Sequence, residues 1–219
     1  MGEMSEDTAA EPGGAAAELG SPERLVALSD GVYAIAITLL VLDIKLPPDL
    51  DKAEFEAALR GVWPSLGAYG LSFAVLAGYW RDQRRIVQQV RCCDTLMIRV
   101  ALAGLGLVAL LPFPTSVLSE YGGSFPEAVA LYAATIAGIA LLHLALFLLA
   151  WRRPHLMAAP LSDRAGWDTV IELASIVPVA VVSVAVAFAV STSAALWTWL
   201  AAIPLKYLLR RLASGRGRI

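Results

Sequence analysis

Six long apolar segments constrain this chain more than any other feature. They run over residues 22–46, 62–80, 95–118, 126–151, 169–190 and 194–212 of the 219-residue sequence. An α-helix needs about 20 apolar residues to cross a bilayer, and only helices and closed barrels satisfy their backbone groups in lipid. Since 58% of the residues are hydrophobic and only 16% are charged, we expect an all-α membrane protein with six transmembrane helices per chain.

The distribution of Lys and Arg predicts the orientation of these helices. Thirteen of these residues lie in the stretch 81–99, in the connection after the fourth segment, and at the end of the chain from residue 206 onward. The opposite side holds three, which are Lys45, Lys52 and Arg60. Cytoplasmic loops carry the excess of positive charge in membrane proteins. The sequence therefore predicts that both termini are cytosolic.

The chain divides into three predicted regions. Residues 1–20 are rich in Ala, Gly and Glu, contain no Lys or Arg, and lack the basic start and apolar core of a secretory signal. We expect a disordered cytosolic tail there, a six-helix transmembrane domain over 21–212 and a basic cytosolic tail over 213–219. No internal repeat is evident, so any symmetry that the function needs would come from several copies of the chain.

The sequence contains no motif of a known catalytic or metal site. It lacks HExxH, CxxC, GxSxG and a phosphate-binding Walker loop, so we expect no enzyme, no catalytic residue, no metal and no cofactor. The only histidines, His143 and His155, are too far apart to indicate a metal site. His143 is expected to face the helix bundle with a hydrogen-bond partner, and Cys92 and Cys93 to be ordinary thiols. The arginines are explained by orientation, which leaves no support for nucleic-acid binding.

A carboxylate lies inside the first apolar segment. Burying Asp30 in hydrocarbon would cost about 2.5–3.5 kcal/mol, so it must face protein or water. Arg24 precedes it by six residues, which places the two side chains about 120° apart on a helix. We therefore expect Asp30 to pair with an arginine at the cytosolic end of the second or third segment, first of all Arg81 or Arg99. Arg24, Ser29 and Asp30 are predicted to hold the first helix against its neighbours.

An aliphatic stripe occupies another flank of the same helix. Ile35, Leu39 and Leu42 recur at i, i+4 and i+7, with Thr38 beside them, which is the spacing of one helix face. Such a stripe usually faces lipid or a protein core. Its spacing alone is therefore weak evidence for a functional role.

Two blocks of sequence resemble the transmembrane protein 175 family, whose members are potassium channels of endosomes and lysosomes with bacterial relatives. Residues 24–43 begin RLVALSDG and resemble the family's first helix, although Leu28 stands where the family has Phe. Residues 110–121, LLPFPTSVLSEY, resemble the end of its third helix. Tyr79 and Trp80 also fit the family pattern. The resemblance covers residues 22–210.

This resemblance implies a single-repeat bacterial homologue, in which the first helices of a homotetramer form a pore in the plasma membrane. It places the pore constriction on Ile35, Leu39 and Leu42 and assigns a role in selectivity to Thr38. The permeant species would be potassium and other monovalent cations.

The sequence has no Thr-Val-Gly-Tyr-Gly loop, so a potassium-favouring channel would use a hydrophobic constriction instead of a carbonyl filter. The alternative is a secondary transporter of small ions or solutes. The missing internal repeat and the absence of a Gly-rich unwound helix pair argue against it.

Overall fold

A computed structural model describes residues 20–195 and 197–199, whose regular structure is helical apart from two isolated β-bridges. The helices are α1 Pro22–Leu39, α2 Lys52–Gly61, α3 Trp63–Gln88, α4 Thr95–Leu110, α5 Pro112–Tyr121, α6 Pro126–Trp151, α7 Asp163–Ala174 and α8 Ile176–Ala189. Short 3-10 turns follow α1 at Leu40–Asp43 and α6 at Pro154–Leu156. Residues 192–195 and 197–199 are also helical.

The predicted tails over 1–20 and 213–219 lie outside the described residues, apart from Gly20. Most of the predicted sixth segment, 194–212, lies outside them too.

Four helical stretches in the described part of the chain are long and apolar enough to cross a membrane. They are Pro22–Asp43, Thr95–Tyr121, Pro126–Trp151 and Asp163–Ala189. This result confirms an all-helical, membrane-protein-like fold. The helix α3 has 26 residues and is long enough, but it is not among the four. The count of six spans and the orientation of the termini stay predictions.

Local sequence explains where the first two helices begin. The hydroxyl of Ser21 accepts a hydrogen bond from the backbone N–H of Arg24 at 3.4 Å, and Pro22 occupies the first helical position. Both are strong helix-start signals, and they confirm the predicted start of α1. The sequence analysis did not predict α2, although Asp51 and Glu54 form a complete capping box with hydrogen bonds of 2.8 and 3.0 Å. That motif is readable in a sequence.

Prolines interrupt two of the predicted segments. The α-helical hydrogen-bond pattern is interrupted at Leu111, just before Pro112 and Pro114, and again at Ser175, three residues before Pro178, although both residues keep right-handed helical backbone angles. A proline removes one backbone hydrogen bond and its ring clashes with the preceding turn. The predicted segments 95–118 and 169–190 are therefore each a pair of helices.

The long helix α6 forms the centre of the bundle. It packs against α4, α5, α7 and α8, whereas α1 packs mainly against α3 and α4. Tyr132, Ile136 and Ile139 of α6 are fully buried in the larger hydrophobic cluster. The helix α1 therefore lies at the edge of the described bundle, with one face packed on the bundle and the other not covered by the described residues.

Candidate functional site

The two faces of α1 differ sharply in burial. On the bundle side Leu25, Ser29, Tyr33 and Ala36 are buried, and Leu40 of the following turn is fully buried. On the other side lies the exposed stripe, which consists of Ile35, Thr38, Leu39 and Leu42. Ile35 is 62% exposed, Leu39 40% and Leu42 58%. The structure thus brings the four predicted pore residues together on one uncovered face.

Thr38 supplies the single hydroxyl of the exposed stripe. Its Oγ1 donates a hydrogen bond to the carbonyl oxygen of Ile35 at 2.8 Å. A hydroxyl that donates its proton keeps two acceptor lone pairs. Thr38 therefore presents an oxygen acceptor on an otherwise aliphatic surface.

Two side chains of α3 bind the carboxylate of Asp30. The indole Nε1–H of Trp80 donates to its Oδ1 at 2.7 Å, and the guanidinium of Arg84 lies 3.7 Å from its Oδ2. The Arg84 guanidinium also lies 5.6 Å from the centre of the Trp80 ring, within cation–π range. These three side chains form one link between α1 and α3.

The predicted arginine partners of Asp30 were wrong. The arginine does come from the end of the second segment, but it is Arg84 rather than Arg81 or Arg99. Trp80 and Arg84 are four residues apart and share a helix face, whereas Arg81 is turned about 100° away. Arg81 instead lies 3.8 Å from the carboxylate of its neighbour Asp82.

Ser29 contacts the same region of α3, and Arg24 does not. The Ser29 hydroxyl donates to the carbonyl oxygen of Leu25 at 2.7 Å and accepts from the Gln83 amide at 3.5 Å. Arg24 is exposed, and among the described residues no carboxylate lies within 4.0 Å of its guanidinium. Ser29 and Asp30 thus join α1 to α3, while the packing role of Arg24 stays a prediction.

Tyr33 connects the middle of α1 to the central helix α6. Its hydroxyl lies 3.3 Å from Nε2 of His143, and Nδ1 of His143 lies 2.9 Å from the carbonyl oxygen of Ile139. A carbonyl only accepts, so Nδ1 carries a proton, and in the neutral form of the ring Nε2 accepts from the Tyr33 hydroxyl. His143 is 3% exposed. The prediction that it faces the bundle with a hydrogen-bond partner is confirmed.

Backbone pairing fastens the start of α1 to the connection between α3 and α4. Gly20 and Cys93 exchange two hydrogen bonds of 2.9 and 3.1 Å. The same connection pairs with the one after α6, because the Arg91 N–H donates to the Leu156 carbonyl at 2.8 Å. Asp94, which caps α4, also forms an ion pair with Arg153. We call this end of the bundle, where the Arg-rich connections meet, the Arg-rich end.

The neighbouring cysteines differ in environment. Both thiols are free; Cys92 is partly exposed and Cys93 is fully buried. Burial, with the nearby Cys92 and Asp94 adding to it, raises the pKa of Cys93 to about 11. In the part of the chain that the structure describes, no group of three or more His, Cys, Asp or Glu side chains is placed to hold a metal ion.

Known proteins are similar to this chain in the region that contains the site. The family model described as endosomal/lysosomal potassium channel TMEM175 matches residues 24–112. A crystal structure of a lysosomal potassium-selective channel TMEM175 homolog from Chamaesiphon minutus has a TM-score of 0.74 and 29% sequence identity to this chain. The match covers 86% of this chain and 97% of that one. The chain belongs to the TMEM175 family. This is a family of ion channels rather than enzymes, and the resemblance seen in the sequence is confirmed.

Two bacterial relatives of the family carry the name potassium channel. The protein from Streptomyces collinus is 38% identical over 136 residues, which are 61% of this chain and 66% of that protein. The protein from Chamaesiphon minutus is 40% identical over 108 residues, 48% of this chain and 53% of that protein. The matches therefore span between about half and two thirds of the relatives' lengths.

The sequence analysis missed the side chains that position α1. Trp80 was noted only as part of the family pattern, and Tyr33 and Arg84 were given no partner. The spacing of Trp80 and Arg84, one helical turn apart at the Arg-rich end, was an available signal for a shared face. Nothing in the sequence indicates the contact between Tyr33 and His143, which are 110 residues apart.

Proposed function

We propose that this chain forms a potassium-favouring cation channel, in which the α1 helices of a homotetramer surround the pore. The observation that carries the proposal is the exposed stripe. Tyr33 and Asp30 bind one face of α1 to the bundle, while the other face has an aliphatic surface that the described residues leave exposed. The names of the bacterial relatives, and of the related crystal structure, support potassium as the permeant ion.

In such an assembly four copies of the exposed stripe form successive rings. Rings of Ile35, Leu39 and Leu42 make a narrow aliphatic passage, which expels water and opposes ions until it widens. Potassium sheds its water more easily than sodium, so a partly dehydrating constriction favours potassium modestly. The hydroxyl oxygens of four Thr38 side chains would add a ring of acceptors between the aliphatic rings. We expect weak selectivity for potassium over sodium.

The bilayer, and the bacterial plasma membrane in particular, is the proposed location. The four membrane-length stretches support membrane insertion, and the excess of Lys and Arg on one side supports cytosolic termini. In this arrangement the Arg-rich end faces the cytosol. The channel needs no cofactor beyond its permeant ions.

A matched pair of substitutions tests the pore assignment. Ile35→Asn introduces an amide into the proposed constriction, and we expect about a tenfold rise in potassium flux into liposomes, equivalent to about 1.4 kcal/mol of barrier. Discrimination against sodium should fall at the same time. Ile171→Asn is the control, because Ile171 of α7 is 65% exposed, close to the 62% of Ile35, but lies off the stripe.

The control variant should conduct like the wild type. If Ile35→Asn also leaves flux unchanged, the constriction is not on this face. Flux without unitary current steps would favour the secondary transporter, because single-channel steps exceed the rate of any carrier.

A further inference from the structure

We propose that His143 is a positioning residue for permeation: its hydrogen bond to Tyr33 fixes the rotation of α1 about its own axis, and with it the direction of the exposed stripe. The inference rests on the proposed channel function. It assigns a role to a buried polar pair that lies away from the stripe.

Helix geometry places Tyr33 opposite the exposed stripe. Successive residues of an α-helix are turned by 100°, so Ile35, two residues later, lies about 160° from Tyr33, and Leu39, six residues later, lies about 120° from it. Tyr33 is 1% exposed, whereas Ile35 is 62% exposed. Any contact that holds the Tyr33 side chain in place therefore sets where the stripe points.

The acceptor of this contact is itself held rigidly. Nδ1 of His143 is bonded to the carbonyl oxygen of Ile139 at 2.9 Å, which leaves the Nε2 lone pair in one direction. The ring also stacks on Tyr79, with centroids 5.3 Å apart and planes 5° from parallel. The Tyr79 hydroxyl in turn donates to the Ile136 carbonyl at 2.8 Å. A fixed acceptor on the central helix makes the Tyr33 hydrogen bond a directional constraint.

Within the described part of the chain, the other hydrogen bonds between α1 and its neighbours lie farther from the stripe. Ser29 and Asp30 meet α3 about one turn nearer the Arg-rich end, and Gly20 pairs with Cys93 at that end itself. Beyond Tyr33, Thr38 bonds only to its own helix. Among the hydrogen bonds of the described residues, Tyr33 is thus the last α1 side chain that bonds to another helix before the constriction. The hydrophobic effect is non-directional, so the hydrogen bond supplies a directional constraint that burial alone lacks.

Cysteine accessibility measures the direction of the stripe separately from stability. Leu39→Cys lies on the stripe, and Ile37→Cys lies on its partly buried flank. We would compare how fast a membrane-impermeant thiol reagent blocks potassium current at each position, in channels with and without Tyr33→Phe. Without the hydroxyl, the ratio of the two block rates, position 39 over position 37, should fall about two- to tenfold, the range that one net hydrogen bond covers. His143→Leu should have the same effect, and His143→Gln, which keeps an acceptor, should restore the ratio at least in part.

Tyr132→Phe is the matched control. Tyr132 is also fully buried, and its hydroxyl forms a hydrogen bond of 3.0 Å with Ser72 of α3 rather than with α1. This variant loses a comparable hydrogen bond, and we expect the block-rate ratio of the wild type. The positioning role is wrong if Tyr33→Phe leaves the block-rate ratio unchanged. It is also wrong if Tyr132→Phe changes the ratio as much as Tyr33→Phe does. If the reagent does not block the current of the Leu39→Cys channel while Tyr33 is intact, residue 39 does not line the pore. That result would contradict both the proposed pore and this inference.

Discussion

The two faces of α1 differ in their contacts, because one face binds the helix to the bundle and the other is exposed. The inner face is buried and carries Ser29 and Tyr33, each hydrogen-bonded to another helix, with Asp30 fastened beside them. The outer face carries three exposed aliphatic side chains and a threonine whose hydroxyl bonds to the Ile35 carbonyl of the same helix. Contacts that fix position are thus kept apart from the surface proposed to meet ions. Substitutions on the inner face should change stability, and substitutions on the outer face should change permeation.

The neighbouring leucines at the end of α1 give the largest expected contrast in stability. Leu40 is fully buried, whereas Leu39 is 40% exposed. Leu40→Ala leaves a cavity in the bundle and should lower the free energy of unfolding by about 2–5 kcal/mol. Leu39→Ala should change it by less than about 1 kcal/mol and should alter conductance instead. Denaturation in detergent, paired with flux in liposomes, measures both. Equal losses of stability would show that the two faces are not distinct.

Substitution of Asp30 should have the second-largest effect on stability. Asp30→Ala leaves the Trp80 indole N–H without its acceptor, which should cost about 1.5–3 kcal/mol. Asp30→Asn keeps an oxygen for Trp80 and loses only the pairing with Arg84, a partly exposed ion pair worth at most about 1 kcal/mol. We expect both variants to weaken the protomer and its assembly, measured by size-exclusion chromatography and thermal unfolding. Normal assembly with altered unitary conductance would instead place Asp30 in the ion pathway.

Thr38→Val tests the outer face without changing its shape. The substitution exchanges a hydroxyl for a methyl group on an exposed position. We expect stability to change by less than about 0.5 kcal/mol, while the preference for potassium over sodium falls. Reversal potentials in bi-ionic solutions measure the preference. Unaltered reversal potentials would remove Thr38 from the selectivity mechanism.

The cysteines at the Arg-rich end should give the smallest effect. Burial raises the pKa of Cys93 from 9.0 to about 11, so its thiol stays protonated and unreactive at neutral pH. A group with a raised pKa stabilises the fold fully below its unfolded pKa and loses this contribution as pH rises toward the folded value. Maleimide labelling followed by mass spectrometry should therefore modify Cys92 first and reach Cys93 only between about pH 9 and pH 11. Equal labelling at pH 7.5 would show that the pairing of Gly20 with Cys93 is open.

Much of α1 could be predicted because its signals are local. Ser21 and Pro22 predict its start, and the spacing of Ile35, Leu39 and Leu42 predicts a common face. Its length and composition predict a membrane span. The assignment of that face to a pore came from the family resemblance and stays a prediction, since a single chain leaves the stripe exposed whether it meets lipid or a pore.

The wrong predictions concern contacts that depend on which faces of two helices meet. The choice of Arg81 or Arg99 for Asp30 required knowing which face of α3 meets α1, and this is set by packing of the whole bundle. The breaks at Leu111 and Ser175 were overlooked although Pro112 and Pro178 indicate them locally. The helix α2 was also missed, although its capping box of Asp51 and Glu54 is a local signal.

Recording from the purified protein in planar bilayers with potassium on one side and sodium on the other tests the central claim most directly. We expect unitary current steps whose reversal potential shows a modest preference for potassium. Ile35→Asn should enlarge the steps and move the reversal potential toward zero, and Ile171→Asn should do neither. Currents without unitary steps, or steps that neither substitution changes, would contradict a pore lined by the exposed stripe of α1.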